Sequence, residues 1–226
     1  MDLMTRQRHE RRAAILAAAR ELIAERGYAD LTVRDLAERC GVSVPTLYNQ
    51  FGDKDGVLSA AIEEHFLEVL NSTLVATSSP GYERLILIID QSAEQILTLS
   101  AYHQRLLEAF AAIRSTVPVQ QRVANQLAGA MQEELHVMAR QNQLSDWADA
   151  PSIAGQMTSA SIAVAIVWSA GMVPDNQFAA SMQYATGLVL LGVTRGRVRK
   201  VLEERVKMAQ QTLTRQSATR HSQINS

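Results

Sequence analysis

Hydrophobic residues recur at helical spacing along nearly the whole of this 226-residue chain. In the segment 8–25, Ile15, Ala19, Leu22 and Ile23 form one apolar stripe, while the arginines and glutamates fall elsewhere. Few stretches alternate between polar and apolar residues as half-buried strands do. The pattern therefore predicts an all-α, globular protein.

Two short helices follow the first, and caps and glycines mark their ends. Thr32 can cap the earlier one, with Asp35 three residues later as in a capping box, and Gly41 can end it. Ser43 can cap the later one, which ends before Gly52. Two short helices joined by such a tight turn form a helix-turn-helix, whose second helix has the size to enter a major groove of DNA.

Polar side chains on this hairpin suit nucleic-acid binding. Thr46, Tyr48 and Lys54 can donate to phosphate oxygens, and the guanidinium of Arg34 can reach a guanine edge. As an alternative, Leu47 and Tyr48 pack within a helical bundle and Lys54 is a solvated neighbour of a helix cap. Both helix caps and the turn glycine stand at the spacing that a helix-turn-helix requires, and together they favour DNA binding.

The order of motifs between residues 15 and 58 is specific. It comprises Ile-Leu-Ala-Ala-Ala-Arg-Glu-Leu at 15–22, Gly-Tyr at 27–28, Leu-Thr-Val-Arg-Asp-Leu-Ala at 31–37, Gly-Val-Ser at 41–43, Thr-Leu-Tyr at 46–48 and Phe-Gly-Asp-Lys at 51–54. In this order the chain resembles the TetR family of transcriptional regulators. The resemblance implies phosphate contacts by Thr32, Ser43, Thr46, Tyr48 and Lys54, and base-facing positions at Arg34, Val44, Pro45 and Asn49. Many family members have Lys-Gly at 44–45 and His-Tyr at 49–50, where this chain has Val-Pro and Asn-Gln.

The expected organisation has three parts. Residues 1–56 form an N-terminal three-helix helix-turn-helix domain, and residues 57–200 form a larger helical ligand-binding and dimerisation domain. Residues 201–226 form a C-terminal helical extension with a disordered tail, because chain ends are seldom tied down.

A homodimer is expected through the helices near 153–170 and 176–199. Small residues at helical spacing allow close helix approach: Ser161, Ala165 and Ser169 in one helix, Gly192 and Gly196 in the other, beside Ile162, Ile166, Leu188 and Leu191. Two such helices from each subunit can form a four-helix bundle across a two-fold axis. The alternative is that both are internal core helices.

An effector pocket is expected in the larger domain, because most aromatic residues lie beyond the DNA-binding part. The candidate lining residues are Phe66, Tyr102, His103, Phe110, Met131, His136, Trp147 and Trp168. Adaptable methionines and rigid rings can line an apolar cavity, although each of these residues also suits a core. Residues 57–194 carry 5 Lys and Arg against 12 Asp and Glu, which disfavours a strongly anionic ligand.

Enzyme classes find little support. One Glu-x-x-His occurs at 133–136, whereas a di-iron bundle needs two and further glutamates. A zinc-protease motif, a phosphate-binding glycine loop and a nucleophile elbow are absent from the sequence. We therefore expect no catalytic residues, metal or cofactor, and keep a ligand carrier and a bundle enzyme as rival classes. Cys40 is expected to be a small core residue.

Charge and leader patterns add two expectations. The net charge of −1 does not indicate nucleic-acid binding by itself. Two roles are open for the basic run 195–200: it contacts nucleic acid, or it complements the negative end of a helix dipole. Four arginines within residues 1–12 lead into an amphipathic helix instead of a signal peptide, and the apolar run 162–173 is too short to span a membrane. A cytoplasmic repressor is expected, which binds a pseudo-palindromic double-stranded DNA operator as a dimer and is released by a small, largely apolar molecule.

Overall fold

The computed structural model describes residues 3–74, 79–113 and 117–224. Ten α-helices cover most of these residues: α1 Leu3–Arg26, α2 Val33–Cys40, α3 Val44–Phe51, α4 Lys54–Leu74, α5 Tyr82–Thr98, α6 Ser100–Ala112, α7 Val117–Arg140, α8 Ala150–Ser169, α9 Asp175–Val193 and α10 Gly196–Ile224. Within these described ranges, β-type pairing is limited to one isolated bridge between Leu144 and Thr194. The predicted all-α class is confirmed.

The helix predicted over 176–199 is interrupted, which corrects the sequence analysis. Helix α9 ends at Val193, and Thr194 adopts an extended conformation that pairs with Leu144. The Arg195 N–H donates to the Gln143 carbonyl at 2.8 Å, so backbone bonds to another segment replace helical ones here. Gly196 therefore begins α10 and does not share a helix with Gly192, contrary to the predicted dimer stripe.

Helix α10 continues to Ile224, where the sequence predicts a disordered tail. Lys207 pairs with Glu203 and Glu204 one turn earlier, and such pairs stabilise an exposed helix. The hydroxyls of Thr212 and Thr214 donate to backbone carbonyls four residues back. The described C-terminal residues are thus helical.

The chain divides into two compact units. The N-terminal unit comprises Met1–Glu68 and Ala101–Val123, and the C-terminal unit comprises Val69–Ser100 and Ala124–Ser226. The boundary predicted at residue 56 falls inside the N-terminal unit. In that unit, Leu106 and Phe110 of α6 join the apolar face of α1 in one core, which holds the helix-turn-helix in place.

The C-terminal unit is built from long helices around large buried side chains. Trp168 of α8 is fully buried, its ring centroid lies 4.5 Å from that of Phe178, and its indole N–H donates to Asp175 at 2.9 Å. Helices α9 and α10 approach closely where Gly187 meets Val206. Among the described helices, α8 has the length and apolar composition of a membrane span, a property that buried core helices share.

Candidate nucleic-acid interface

Helix α2 is fixed at both ends by local hydrogen bonds. The Thr32 N–H donates to the Asp35 carboxylate at 2.8 Å, and the Asp35 N–H donates to the Thr32 hydroxyl at 3.2 Å, so the predicted capping box is confirmed. The Thr32 hydroxyl and the Thr32 N–H both donate to this carboxylate, and they hold the pKa of the Asp35 carboxyl below its ordinary value. Gly41 ends the helix with φ 62°, and its N–H donates to carbonyls of the last turn. The chain therefore turns sharply into α3.

Helix α3 buries one side and exposes the other. The Ser43 hydroxyl accepts the Thr46 N–H at 3.3 Å, which confirms the predicted cap. Leu47 points into the core and is 1% exposed, whereas Tyr48 is 50% exposed. Asn49 is exposed as well. The outer face thus presents a phenol and an amide to a partner.

The nine residues predicted to contact DNA differ in exposure. Thr32, Arg34, Ser43, Pro45, Tyr48 and Asn49 are exposed, and Val44, Thr46 and Lys54 are partly buried. All nine lie in or directly beside the helix-turn-helix in the N-terminal unit.

Lys54 has an additional structural role that sequence reasoning missed. Its ammonium donates to the carbonyls of Leu31 at 3.0 Å and Tyr28 at 3.3 Å. It also lies 4.4 Å from the centroid of the Tyr28 ring. The Tyr28 hydroxyl donates to Asp55 at 2.9 Å, and burial followed by this bond raises the pKa of the Tyr28 phenol. Lys54 therefore fastens the turn between α1 and α2, and its contact with phosphate stays a prediction.

Four of the eight predicted pocket residues come together in the N-terminal unit. Phe66, Tyr102, His103 and Phe110 join His65, a residue absent from the predicted set, in an aromatic cluster with ring centroids 5.1–5.9 Å apart. The Nε2 atoms of His65 and His103 are 2.9 Å apart, so one ring donates to the other. Burial, with the nearby His103 and Arg20, lowers the pKa of His65 to about 4. We call these five residues the aromatic cluster.

The other four predicted pocket residues belong to the C-terminal unit, two of them buried and two exposed. Met131 and Trp168 are buried, and the Thr158 hydroxyl lies 4.0 Å from the Met131 sulfur. His136 is exposed, and Trp147 is 74% exposed. Two of these four residues therefore lie on the surface of the C-terminal unit, and their role in a ligand site stays a prediction.

The surface of α8 and α9 also differs from the predicted dimer stripe. Ser161, Ala165 and Ser169 are buried inside the C-terminal unit. The outward apolar residues are Ile166 of α8 and Leu188 of α9, which are 36% and 48% exposed. Because α8 is apolar on all sides, its sequence does not reveal which side faces outward.

Two side chains near the motifs weighed for reactive chemistry have structural partners: Glu134, the neighbour of Glu133 in the Glu-x-x-His segment, and Cys40. The Glu134 carboxylate is buried and accepts the Gly81 N–H at 2.6 Å, with Arg84 at 3.6 Å. The Cys40 thiol is partly buried and contacts the Ile15 carbonyl, and burial raises its pKa. Within the described residues, no group of three His, Cys, Asp or Glu side chains is arranged to hold a metal ion.

Comparison with known proteins shows what the chain is similar to. Residues 15–61 match the family described as bacterial regulatory proteins, tetR family. The HTH-type transcriptional regulator UidR of Escherichia coli (strain K12) is 24% identical over 110 residues, which cover 42% of this chain and 56% of that relative. The match thus spans about half of UidR's own length.

Two solved structures share the fold. The Thermus thermophilus FadR repressor in complex with lauroyl-CoA has a TM-score of 0.65 at 19% identity, covering 82% of this chain and 96% of that chain. The complex of triclosan with SmeT, the repressor of a Stenotrophomonas maltophilia multidrug efflux pump, has a TM-score of 0.60 at 22% identity, covering 84% and 94%.

Proposed function

We propose, from the match of residues 15–61 to the tetR family of bacterial regulatory proteins, that the whole chain is a ligand-responsive transcriptional repressor of the cytoplasm. Each subunit of a homodimer sets α3 into a major groove. The two grooves are successive and belong to a pseudo-palindromic operator, about one helical turn apart.

The outward face of α3 is the observation that carries this proposal. Tyr48 and Asn49 are exposed on a helix whose opposite side, at Leu47, is buried, and the Ser43 cap sets its entry angle. The Tyr48 hydroxyl and the exposed N-terminal amides of α3 donate to phosphates, while Asn49 and Arg34 read base edges. Lys54 reaches a phosphate with the one ammonium hydrogen that its two carbonyl partners leave.

The homodimer forms through the outward sides of α8 and α9. Ile166 and Leu188 are exposed large apolar residues on these neighbouring helices, and burial against a second copy removes them from water. We expect Ile166→Asp to give a monomer in analytical ultracentrifugation. Val201→Asp, at a similarly exposed residue of α10, should leave a dimer. A dimer in both variants would contradict this interface.

The effector is a small, largely apolar molecule. FadR with lauroyl-CoA and SmeT with triclosan support this class, since each complex pairs a repressor of this fold with a ligand that has an apolar body. The contact between Phe66, Tyr102, His103 and Phe110 supports these rings as part of the ligand site. Binding is reciprocal, so effector and operator must weaken each other by the same factor, typically 5–150-fold.

DNA binding is tested by fluorescence anisotropy with duplexes selected by the protein from a random pool. Tyr48→Phe removes one hydroxyl from an exposed ring, and it should weaken all duplexes about equally and reduce the salt dependence. Tyr82→Phe makes the same chemical change in the C-terminal unit and should have no effect. Wild-type protein that binds no duplex would refute the repressor and support a ligand carrier.

A further inference from the structure

Most arginines of the N-terminal unit are neutralised by a nearby carboxylate. The pairs are Arg6 with Glu10, Arg20 with Glu64, Arg26 with Asp35, Arg39 with Glu25, Arg105 with Glu108 and Arg122 with Glu63. Within the described part of this unit, Arg8, Arg11, Arg12 and Arg34 have no carboxylate within 4 Å. Three of these four belong to the first turns of α1, where positive charge is therefore available to an external anion.

Two of these arginines line a groove beside α3. Thr5, Arg8, His9 and Arg12 of α1 border a groove of about 320 Å³, and Gln50 of α3 forms its other side. Positions 5, 8, 9 and 12 share one face of a helix by their spacing. We call this feature the α1–α3 groove.

Packing fixes the groove at the end of α3. The Arg12 guanidinium carbon lies 4.7 Å from the centroid of the Phe51 ring, a cation–π contact that restrains this side chain before any ligand binds. Such restraint lowers the entropy cost of forming a further contact. Arg8, one turn earlier, is exposed, and no carboxylate in the described part of this unit lies within 4 Å of it.

The groove adjoins the polar side of α3 that was assigned to DNA. Gln50 lies four residues after Thr46, so these two side chains share one flank of α3. That flank borders the outermost positions Pro45 and Asn49, which are exposed. A duplex lying against Asn49 therefore passes close to the side chains of Arg8 and Arg12.

From this arrangement we infer that the α1–α3 groove binds the sugar-phosphate backbone of DNA beside the major groove that receives α3. Arg8 and Arg12 each contact a phosphate, because a guanidinium offers two parallel N–H donors to phosphate oxygens. The inference rests on the proposed DNA-binding function and adds a second anchoring element to it. Phosphate contacts raise affinity for any duplex and release counterions, and they carry no base preference.

Arg8 is the residue to test, because Arg12 also packs on Phe51 and its removal would disturb the fold. The probe is a fluorescein-labelled 30-base-pair duplex of random sequence, whose binding is measured by anisotropy from about 50 to 200 mM KCl. The variants are Arg8→Gln, Arg8→Lys and, as a matched control, Arg6→Gln. Arg6 lies on the same helix, loses the same charge, does not border the groove and is already paired with Glu10.

Arg8→Gln should weaken binding several-fold at the lowest salt. It should also reduce the slope of log K against log salt by about one for each phosphate that the variant no longer neutralises. Arg8→Lys should restore most of the slope, and Arg6→Gln should keep the wild-type slope. Base preference in a selection experiment should be the same for Arg8→Gln and wild type.

Two outcomes separate this inference from the proposed function. If wild type binds the duplex and Arg8→Gln matches Arg6→Gln in slope, the groove does not contact phosphate, and the repressor proposal stands. If wild type binds neither this duplex nor the duplexes selected from a random pool, the repressor proposal itself is refuted. Circular dichroism melting of Arg8→Gln should match wild type, because Arg8 is exposed and forms no ion pair among the described residues.

Discussion

The N-terminal and C-terminal units are stabilised in different ways. In the N-terminal unit, short helices are set by caps such as Ser43 and by Gly41, and helices are joined by ion pairs such as Arg20 with Glu64. In the C-terminal unit, long helices pack around Trp168 and Phe178, and buried hydroxyls such as that of Thr186 donate to carbonyls of their own helix. Both units have an apolar core, and the N-terminal unit adds caps, a turn glycine and ion pairs that set its short helices.

This difference determines how each unit responds to substitution. A cap or a turn glycine contributes about 1 kcal/mol, whereas a fully buried large side chain contributes about 3–5 kcal/mol. Both tryptophans, Trp147 and Trp168, belong to the C-terminal unit, so tryptophan fluorescence reports the unfolding of that unit alone. The units can therefore be followed separately in one denaturation experiment.

The largest effect is expected from Trp168→Ala. Removing this buried ring leaves a cavity beside Phe178 and should lower the free energy of unfolding of the C-terminal unit by about 3–5 kcal/mol. Trp168→Phe keeps a ring there and loses the hydrogen bond to Asp175, so it should cost less. Urea denaturation followed by circular dichroism measures both. A loss below about 1 kcal/mol for Trp168→Ala would contradict the larger contribution assigned to buried side chains of the C-terminal unit.

Gly187→Ala should have the next largest effect. A Cβ at this position would lie 2.5 Å from Cγ2 of Val206, and that stiff β-branched side chain has little room to move. Overpacking costs about 1–3 kcal/mol, partly offset by the higher helix propensity of alanine. Thermal melting should show the loss, and Val206→Ala in the same chain should relieve part of it. Strictly additive losses would contradict a clash between α9 and α10.

Gly41→Ala sharpens the comparison from the side of the N-terminal unit. Gly41 has φ 62° and an added Cβ would meet no atom within 4 Å, so the penalty is conformational only. We expect a loss of about 1 kcal/mol in the free energy of unfolding, measured by urea denaturation followed by far-UV circular dichroism. Gly41→Asn should lose less, because asparagine tolerates the left-handed region. Equal losses for the two variants would point to an unrecognised contact.

The smallest effect concerns the His65 and His103 pair. The pKa of His65 is about 4 in the folded state, below its ordinary value of 6.5, so the unfolded state binds the proton more readily. Stability is complete above pH 6.5 and is lost as the pH falls towards 4, by less than about 1 kcal/mol per pH unit because the ring is partly solvated. Denaturation at several pH values should show this slope, and His65→Gln should reduce it. An identical slope in both proteins would exclude His65 as its source.

The same difference explains what the sequence could reveal. The ends of α2 and α3 depend on residues that are neighbours in the chain, so Thr32, Gly41 and Ser43 reveal them directly. Ion pairs such as Arg20 with Glu64 join residues 44 apart, and no local signal announces them. Lys54 was assigned to phosphate for its charge, and its two carbonyl partners became visible only in the folded turn.

The errors concentrate where helices are apolar all round. On α8, Ser161 and Ala165 share a stripe that suggested an interface, yet they face the interior. Their spacing is equally compatible with both sides, and only the tertiary arrangement decides between them. In the predicted pocket, Trp147 was included for its ring alone, and His65 was omitted although it lies in the cluster formed by Tyr102 and His103.

The contribution of α6 to the N-terminal core limits how the helix-turn-helix can be transplanted. A chimera that joins only residues 1–56 to another protein would leave behind Leu106 and Phe110, which pack in one core with α1. The transplanted segment would then expose the apolar face of α1 to water and tend to aggregate. A stable chimera must also carry residues 57–68 and 101–123, or must have polar side chains in place of the exposed apolar residues of α1.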